Sequence, residues 1–360
     1  MSSRAAHMDI TNFLESSKIG VEEYIRSFFL RKKAKAEDIS PHFKDIVNAL
    51  EEYTLRGGKR IRAALVRIGY LSISDQPPGE NVIKAGAAME LIQSFLLVHD
   101  DIVDRDDLRR GAPSLHVILQ TWPKGATAGE HQGLAGSLLA GDVAAIWALE
   151  EIGRLAMEPV RMLASIQFIL EMIEKVLAGE VMDVAGSSGA ELDKGDIQKL
   201  YELKTASYSF TGPLHLGGLL AGASKLQLDA LDSIGTPLGV AFQIMDDMLG
   251  MFGEPEATGK PAGADLKEGK KTLLILETLG RLDPGGRNLL LSYMGVKDLG
   301  DESVGNARMQ IEESGAVREL ESIARRLTEQ ALDDLKVAPL KEKGKLLLSA
   351  LAKQLLARKY

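Results

Sequence analysis

Apolar residues recur at three- and four-residue intervals along almost the whole chain, and no stretch alternates apolar with polar for a useful length. Ala, Leu, Met, Glu and Lys dominate these stretches, and all are strong helix formers. The pattern predicts helices near 21–33, 40–54, 59–73, 81–107, 133–156, 160–184, 194–221, 225–252, 271–281, 284–293, 302–313, 316–335 and 340–357. Turn signals such as Gln76-Pro77-Pro78-Gly79, Gly186-Ser187-Ser188-Gly189 and Asp283-Pro284-Gly285-Gly286 separate them. No internal repeat or low-complexity tail is evident. The expected architecture is an all-α, single-domain bundle over 11–360, with 1–10 as an N-terminal tail whose native start lies near Met8.

One segment breaks the helical rhythm. Gly253 to Lys271 carries four glycines and two prolines among many charges. So long a loop inside a helical domain is usually functional or disordered, and this one directly follows an acidic cluster. It reads as an active-site lid.

Two acidic clusters interrupt the apolar background. The first is His99-Asp100-Asp101-Ile102-Val103-Asp104, and the second is Gln243-Ile244-Met245-Asp246-Asp247. On an ideal helix Asp100 and Asp104 share a face, with Asp101 beside them and Leu97 and Gln93 one and two turns earlier. Gln243, Asp246 and Asp247 stand at i, i+3 and i+4 on another such face. Two carboxylates about 6 Å apart repel by about 3 kcal/mol at an effective dielectric near 20. Magnesium removes that cost, and it binds through a few carboxylates plus substrate phosphates. A metal-bridged diphosphate site follows from this reading.

Cations complete the pattern. Arg56-Gly57-Gly58-Lys59-Arg60-Ile61-Arg62 is a Gly-Gly turn opening the helix at 59–73, where backbone N–H groups favour an anion. Arg109 and Arg110 follow the first cluster, and arginine suits bidentate phosphate binding. Tyr201, Lys204, Thr205 and Tyr208 form a polar helix face, and Lys260, Lys267, Lys270 and Lys271 place cations on the lid.

Composition narrows the classes. A net charge of −8 argues against non-specific nucleic-acid binding. The absence of cysteine removes disulfides and thiolate metal sites, and fits a cytoplasmic protein. The start of the chain lacks the apolar core of a signal peptide. The apolar runs 85–98 and 134–149 are broken by Glu90, Gln93 and Asp142, so no membrane span is expected.

The ordered motifs resemble those of the trans-isoprenyl diphosphate synthases, the polyprenyl synthetase family, over roughly residues 10–358. In family order they are Gly57-Gly58-Lys59-Arg60-Ile61-Arg62, Asp100-Asp101-x-x-Asp104, Arg109-Arg110-Gly111, Lys204-Thr205, Phe242-Gln243-x-x-Asp246-Asp247, Gly259-Lys260 and Asp265 to Lys271. The likeness is greatest to archaeal-type geranylgeranyl and farnesyl diphosphate synthases.

The resemblance implies helices packed around a deep central cavity, usually in a homodimer. It implies condensation of isopentenyl diphosphate with an allylic diphosphate, with three magnesium ions per site. On that basis Asp100, Asp104 and Asp246 would bind magnesium directly, and Asp101 and Asp247 would support the ions or their waters. Arg109, Lys204, Thr205, Gln243 and Lys260 would hold the allylic diphosphate, with Lys204, Thr205 and Gln243 also stabilising the passing cation. Lys59, Arg62, Gln93, Arg110 and Lys270 would hold isopentenyl diphosphate.

Three residues depart from the family pattern. Gly250 replaces the third acid of the second motif, Glu180 of Gly179-Glu180-Val181-Met182-Asp183 replaces a common Gln, and Gln93 stands where many long-chain members carry His. Glu180 and Asp183 read equally as surface or supporting acids. Phe95 at the fifth position before Asp100, with Leu96 at the fourth, resembles C20 (geranylgeranyl) rather than C15 (farnesyl) synthases. An ideal helix instead puts Leu97 directly beneath the acids. Terpene cyclases and head-to-head condensing enzymes lack the Gly-Gly-Lys and Arg109-Arg110 motifs. Non-catalytic synthase subunits usually lose ligands that this chain retains.

Overall fold

A computed structural model describes residues 10–123, 129–253, 263–296 and 298–356. The fold is all-α. The strands among the described residues are β1 (Leu108–Arg109) and β2 (Ala112–Pro113), an antiparallel pair in which Leu108 faces Pro113. The chain forms two compact units. The first comprises Met1–Ile169, Pro213–Leu228 and Leu340–Ala350; the second comprises Leu170–Gly212, Asp229–Pro339 and Leu351–Tyr360.

In the first unit run α1 (Ile10–Ile39), α2 (Pro41–Leu55), α3 (Ile61–Leu71), α4 (Glu80–Val103), α5 (Leu115–Ile118) and α6 (Glu130–Gly153). α4 packs on α6 and also on α1 and α3. Small residues permit this. A Cβ on Gly86 would stand 3.1 Å from the Ala63 Cβ, and one on Gly141 would run into the His99 ring. The stretch from Ala85 to Phe95 is buried without interruption, as expected of a helix that is apolar all round. By length and composition α4 and α6 are each apolar enough to cross a membrane. In α4, 72% of that window is buried inside the protein.

Two boundaries differ from the expected ones for a visible reason. α3 begins at Ile61 rather than 59, because Arg60 takes a left-handed φ of 48°. Its buried guanidinium is held by Glu22 at 3.0 Å, Glu90 at 3.1 Å and the Thr54 carbonyl at 2.7 Å. α4 ends at Val103 rather than 107. Arg105 and Arg110 have φ of 57° and 55°, and the chain folds back as the β1–β2 hairpin.

The second unit includes α8 (Lys194–Leu200), which follows α7 (Pro159–Ser187), and later α10 (Lys225–Phe252), α11 (Ala264–Glu268), α12 (Leu273–Arg281), α13 (Pro284–Tyr293), α14 (Asp301–Ser314) and α15 (Ala316–Val337). The boundaries between units fall within α7, at the start of Gly212–Ala221, within α10, after α15 and within the last helix, α16 (Glu342–Leu356). The expected single helix 194–221 is three pieces: α8, a π-helical segment Tyr201–Thr211, and α9 (Gly212–Ala221). The Thr211 hydroxyl donates to the Ala206 carbonyl five residues back, at 3.1 Å. Gly239 of α10 lies where a Cβ would collide with Ala206, so α10 approaches the π segment closely. π-helical turns are frequent at functional sites. Val240, Ile244 and Met248 of α10 form one core with Ile197, Leu274, Ile311 and Leu320.

Candidate active site

The first acidic motif closes α4. Asp101 is 0% exposed, and both of its oxygens are used. Oδ2 accepts from the Tyr53 hydroxyl at 2.7 Å, and Oδ1 accepts from Arg109 Nε at 2.5 Å. Arg109 also reaches Asp100 Oδ2 at 3.1 Å and Asp106 Oδ2 at 3.2 Å. The hairpin that interrupts the expected helix is what brings Arg109 back onto the acids. Burial pushes the Asp101 carboxyl above its ordinary range, with Arg109 and Tyr53 opposing. Burial opposes the Arg109 charge, but Asp100 and Asp101 outweigh it and hold its pKa up. Asp100 and Asp104 are half-buried at the end of the helix.

The Gly-Gly turn lies beside this motif in the same unit. Gly57 and Gly58 have φ of 79° and 111°, which an L side chain would strain. Arg110 Nη1 donates to the Gly57 carbonyl at 2.7 Å, so the hairpin and the turn are tied together. Lys59 is exposed and Arg62 half-buried, while Arg60 points inward as a structural ion pair. Buried Gln93 has its Oε1 without a hydrogen-bond partner. Phe95, 7% exposed, sits edge-on to His99 at 4.9 Å between centroids. Leu96 is half-buried, and Leu97 packs against the core cluster that includes Ile46, Tyr53 and Leu119.

In the second unit the motif on α10 repeats the arrangement. Asp247 is 5% exposed, and its Oδ2 accepts from the buried Tyr201 hydroxyl. Its Oδ1 accepts from Gln243 Nε2 at 2.7 Å, and Gln243 Oε1 accepts from Thr205 Oγ1 at 2.6 Å. The Tyr201 oxygen also accepts from the Leu273 amide at 3.0 Å. Burial, then the Asp265 charge, pushes Asp247 well above the ordinary carboxylate range. Asp246 is exposed. Lys204, on the π segment, meets Glu180 at 2.7 Å and Asp183 at 2.6 Å. Gly179 makes this possible, because a Cβ there would stand 2.8 Å from the Lys204 amide nitrogen. Glu180 and Asp183 thus act on Lys204.

Asp265 has no individual role in the motif reading. A Cβ on Gly250 would lie 3.1 Å from Asp265 Oδ2, so a carboxylate already occupies the space beside the missing third acid. Restoring that acid is therefore expected to harm. In Gly250→Asp, two carboxylates about 5 Å apart would repel by about 3 kcal/mol at an effective dielectric near 20. Thermal melts and turnover should both fall, and adding Asp265→Asn should recover much of each. Unchanged stability and rate in Gly250→Asp alone would contradict this. Lys270 pairs with Glu268 at 2.7 Å, and Lys271 donates to the Ala190 carbonyl at 2.7 Å. Lys260 and the 254–262 part of the expected lid lie outside the described residues.

Among the described residues, no three acidic or histidine side chains converge on a ready-made metal cage. That suits magnesium, which keeps several waters and takes few carboxylates together with substrate phosphates. The donors are all oxygen, and the Arg109 guanidinium already seats a positive charge on Asp100, Asp101 and Asp106. The residues fit the ion.

A family model described as polyprenyl synthetase matches residues 44–311. The chain is 30% identical over 331 residues to a geranylgeranyl diphosphate synthase of Saccharolobus solfataricus, covering 86% of this chain and 94% of that protein. It is 32% identical over 309 residues to a (2E,6E)-farnesyl diphosphate synthase of Mycobacterium tuberculosis, covering 83% of this chain and 81% of that protein. The crystal structure of a Corynebacterium glutamicum geranylgeranyl pyrophosphate synthase, complexed with isoprenyl diphosphate and magnesium, superposes with a TM-score of 0.90. That structure is 32% identical, and the match covers 98% of this chain and 100% of that one. With its acidic motifs, Gly-Gly turn and all-α fold, the chain belongs to the polyprenyl synthetase family and is a prenyltransferase of the short-chain trans-prenyl diphosphate synthases.

Proposed function

We propose that the protein elongates allylic diphosphates with isopentenyl diphosphate and stops mainly at geranylgeranyl diphosphate, C20. The observation that carries the reaction is the paired construction of the two acidic motifs, each with one buried, fully hydrogen-bonded aspartate beside more accessible ones. Phe95, with Leu96 rather than a second aromatic beside it, supports the product length. C15 is the second reading, favoured by the farnesyl diphosphate synthase among the relatives.

Asp100, Asp104 and Asp246 would hold magnesium, three ions with diphosphate bound, and Asp101 and Asp247 would orient them. Magnesium there would neutralise charge gathering on the departing diphosphate, the electrostatic stabilisation that dominates such chemistry. Arg109, Lys204 and Lys260 bind the allylic diphosphate. Its C1–O bond breaks, and the electron pair leaves with the diphosphate. Lys59, Arg62, Gln93, Arg110 and Lys270 hold isopentenyl diphosphate so that its double bond attacks the allylic C1. The departed diphosphate takes the proton lost in closing the new double bond. Gln243 is held at both ends by Thr205 and Asp247, so its carbonyl keeps one orientation. With Thr205 and the Lys204 carbonyl it can face the passing cation. Exclusion of water protects that cation from hydrolysis.

The chain also acts as a homodimer in this reading, supported by Leu139 and Ile146 of α6, which are 55% and 62% exposed. Leu139→Glu with Ile146→Glu should then shift sedimentation from dimer to monomer, and a monomeric parent protein would refute the dimer. To test the metal requirement, Mn2+ binding is followed by electron paramagnetic resonance with a non-ionising allylic diphosphate analogue present. Three ions per chain are expected, and a protein that binds none would sink the proposal.

A further inference from the structure

Each acidic motif is held by a buried tyrosine from another element of its own unit. Tyr53 of α2 donates to Asp101 of α4 at 2.7 Å, and Tyr201 of the π segment donates to Asp247 of α10. In both cases the second carboxylate oxygen accepts from a side-chain nitrogen, Arg109 Nε at 2.5 Å or Gln243 Nε2 at 2.7 Å. All four tyrosine and aspartate side chains are buried, whereas Asp100 is half-buried and Asp246 exposed. The second acid of each motif therefore has both oxygens engaged within the protein, and its neighbours are the ones turned outward.

Each tyrosine also sits at the root of a basic segment. Tyr53 lies in the last turn of α2, just ahead of Arg56-Gly57-Gly58-Lys59. The Tyr201 oxygen accepts from the Leu273 amide at 3.0 Å, just after Lys270 and Lys271. One hydroxyl thus bonds to the acidic motif, and its own chain or its second bond leads to lysines expected on diphosphate.

We propose that Tyr53 and Tyr201 are positioning residues that fix the end of α4 and the face of α10 so that Asp100, Asp104 and Asp246 are pre-set for magnesium. This rests on the metal role assigned above to those three acids. The tyrosines touch neither substrate nor ion. They act by denying Asp101 and Asp247 any other rotamer, which locks the helical turn bearing the ligands. Outer-shell hydrogen bonds of this kind typically change metal affinity by about 10- to 100-fold when removed.

The test uses full-length Tyr53→Phe and Tyr201→Phe, which remove one oxygen each. Mn2+ binding is measured by electron paramagnetic resonance with inorganic pyrophosphate present, alongside kcat as a function of Mg2+. Each variant is expected to bind Mn2+ about 10- to 100-fold more weakly. Each should need correspondingly more Mg2+ for half-maximal rate, and kcat should recover at saturating Mg2+. Asp101→Asn and Asp247→Asn, which keep the shape of the acid, supply a second route should a phenylalanine variant not fold. In the double variants Tyr53→Phe/Asp101→Asn and Tyr201→Phe/Asp247→Asn the losses should not add. If melting temperature falls while Mn2+ affinity and Mg2+ dependence stay at parent values, the tyrosines only pack, and the proposal is overturned. Asp100→Ala and Asp246→Ala separate the two levels. If they bind Mn2+ like the parent, the metal reading fails and takes this proposal with it. If they lose the ion while the tyrosine variants keep it, only the tyrosine proposal fails.

Discussion

Asp100→Ala and Asp246→Ala are each expected to lower kcat by about 1000-fold, the scale on which single electrostatic stabilisers act. Both acids lie on the accessible side of their motifs, so the variants should keep the parent melting temperature within a few degrees. Asp100→Ala leaves Arg109 on Asp101 and Asp106, so no buried charge is orphaned. The outcome differs for the inner acids. Asp101→Ala would leave the buried Tyr53 hydroxyl without its acceptor and take one carboxylate from Arg109, which keeps Asp100 and Asp106. Leaving a buried polar group unsatisfied costs about 1–3 kcal/mol. A loss of activity there would come with a loss of fold. Activity assays beside thermal melts for Asp100→Ala, Asp101→Ala, Asp246→Ala and Asp247→Ala distinguish the two classes. Near-parent rates in the Asp100 or Asp246 variant would discredit the metal assignment.

Phe95→Ala is expected to lengthen the product by at least one five-carbon unit. The side chain lies five residues before Asp100, about 7.5 Å along the helix axis at 1.5 Å per residue. Its ring is nearly buried and packs on His99, so the same change removes core contacts. Truncating a buried Phe costs about 3–5 kcal/mol, and the variant should melt lower. Phe95→Leu separates the effects, since it keeps most of the packing and shortens the reach. It should melt near the parent value and still give a longer product mixture. Product sizing by chromatography of the dephosphorylated alcohols checks both. An unchanged length in both variants would remove Phe95 from control of product size. Leu97, the residue an ideal helix sets under the acids, packs against the core cluster of Ile46, Tyr53 and Leu119 and is not expected to alter length.

The helical fold was legible in the sequence because three- and four-residue spacing survives at nearly every element, and α8, α12 and α13 begin at Asp193, Thr272 and Asp283 caps that the sequence displays. What was not legible depended on contacts far apart in the chain. The left-handed Arg60 that delays α3 answers to Glu22 and Glu90. The hairpin that cuts α4 short is fixed by the return of Arg109 to Asp100 and Asp101. The π segment Tyr201–Thr211 follows close packing on Gly239, and helical periodicity does not distinguish it from an ordinary helix.

The site shows the same division. The acids and cations were found from type and spacing alone. Their pairings were not, because spacing along one helix says nothing of a partner from another. Tyr53 drew no attention as an isolated aromatic in an amphipathic helix. Tyr201 stands in the sequence only as part of a polar stripe, and its partner Asp247 lies on a different helix, α10. Asp265 lay in the family motif without a role until its carboxylate was seen beside Gly250.

Direct elongation tests the central claim. Purified protein is incubated with labelled isopentenyl diphosphate, an allylic primer and Mg2+, and the products are sized with and without a chelator. The account predicts Mg2+-dependent incorporation, accumulating mainly as C20. No incorporation from any allylic primer at saturating Mg2+ would contradict it.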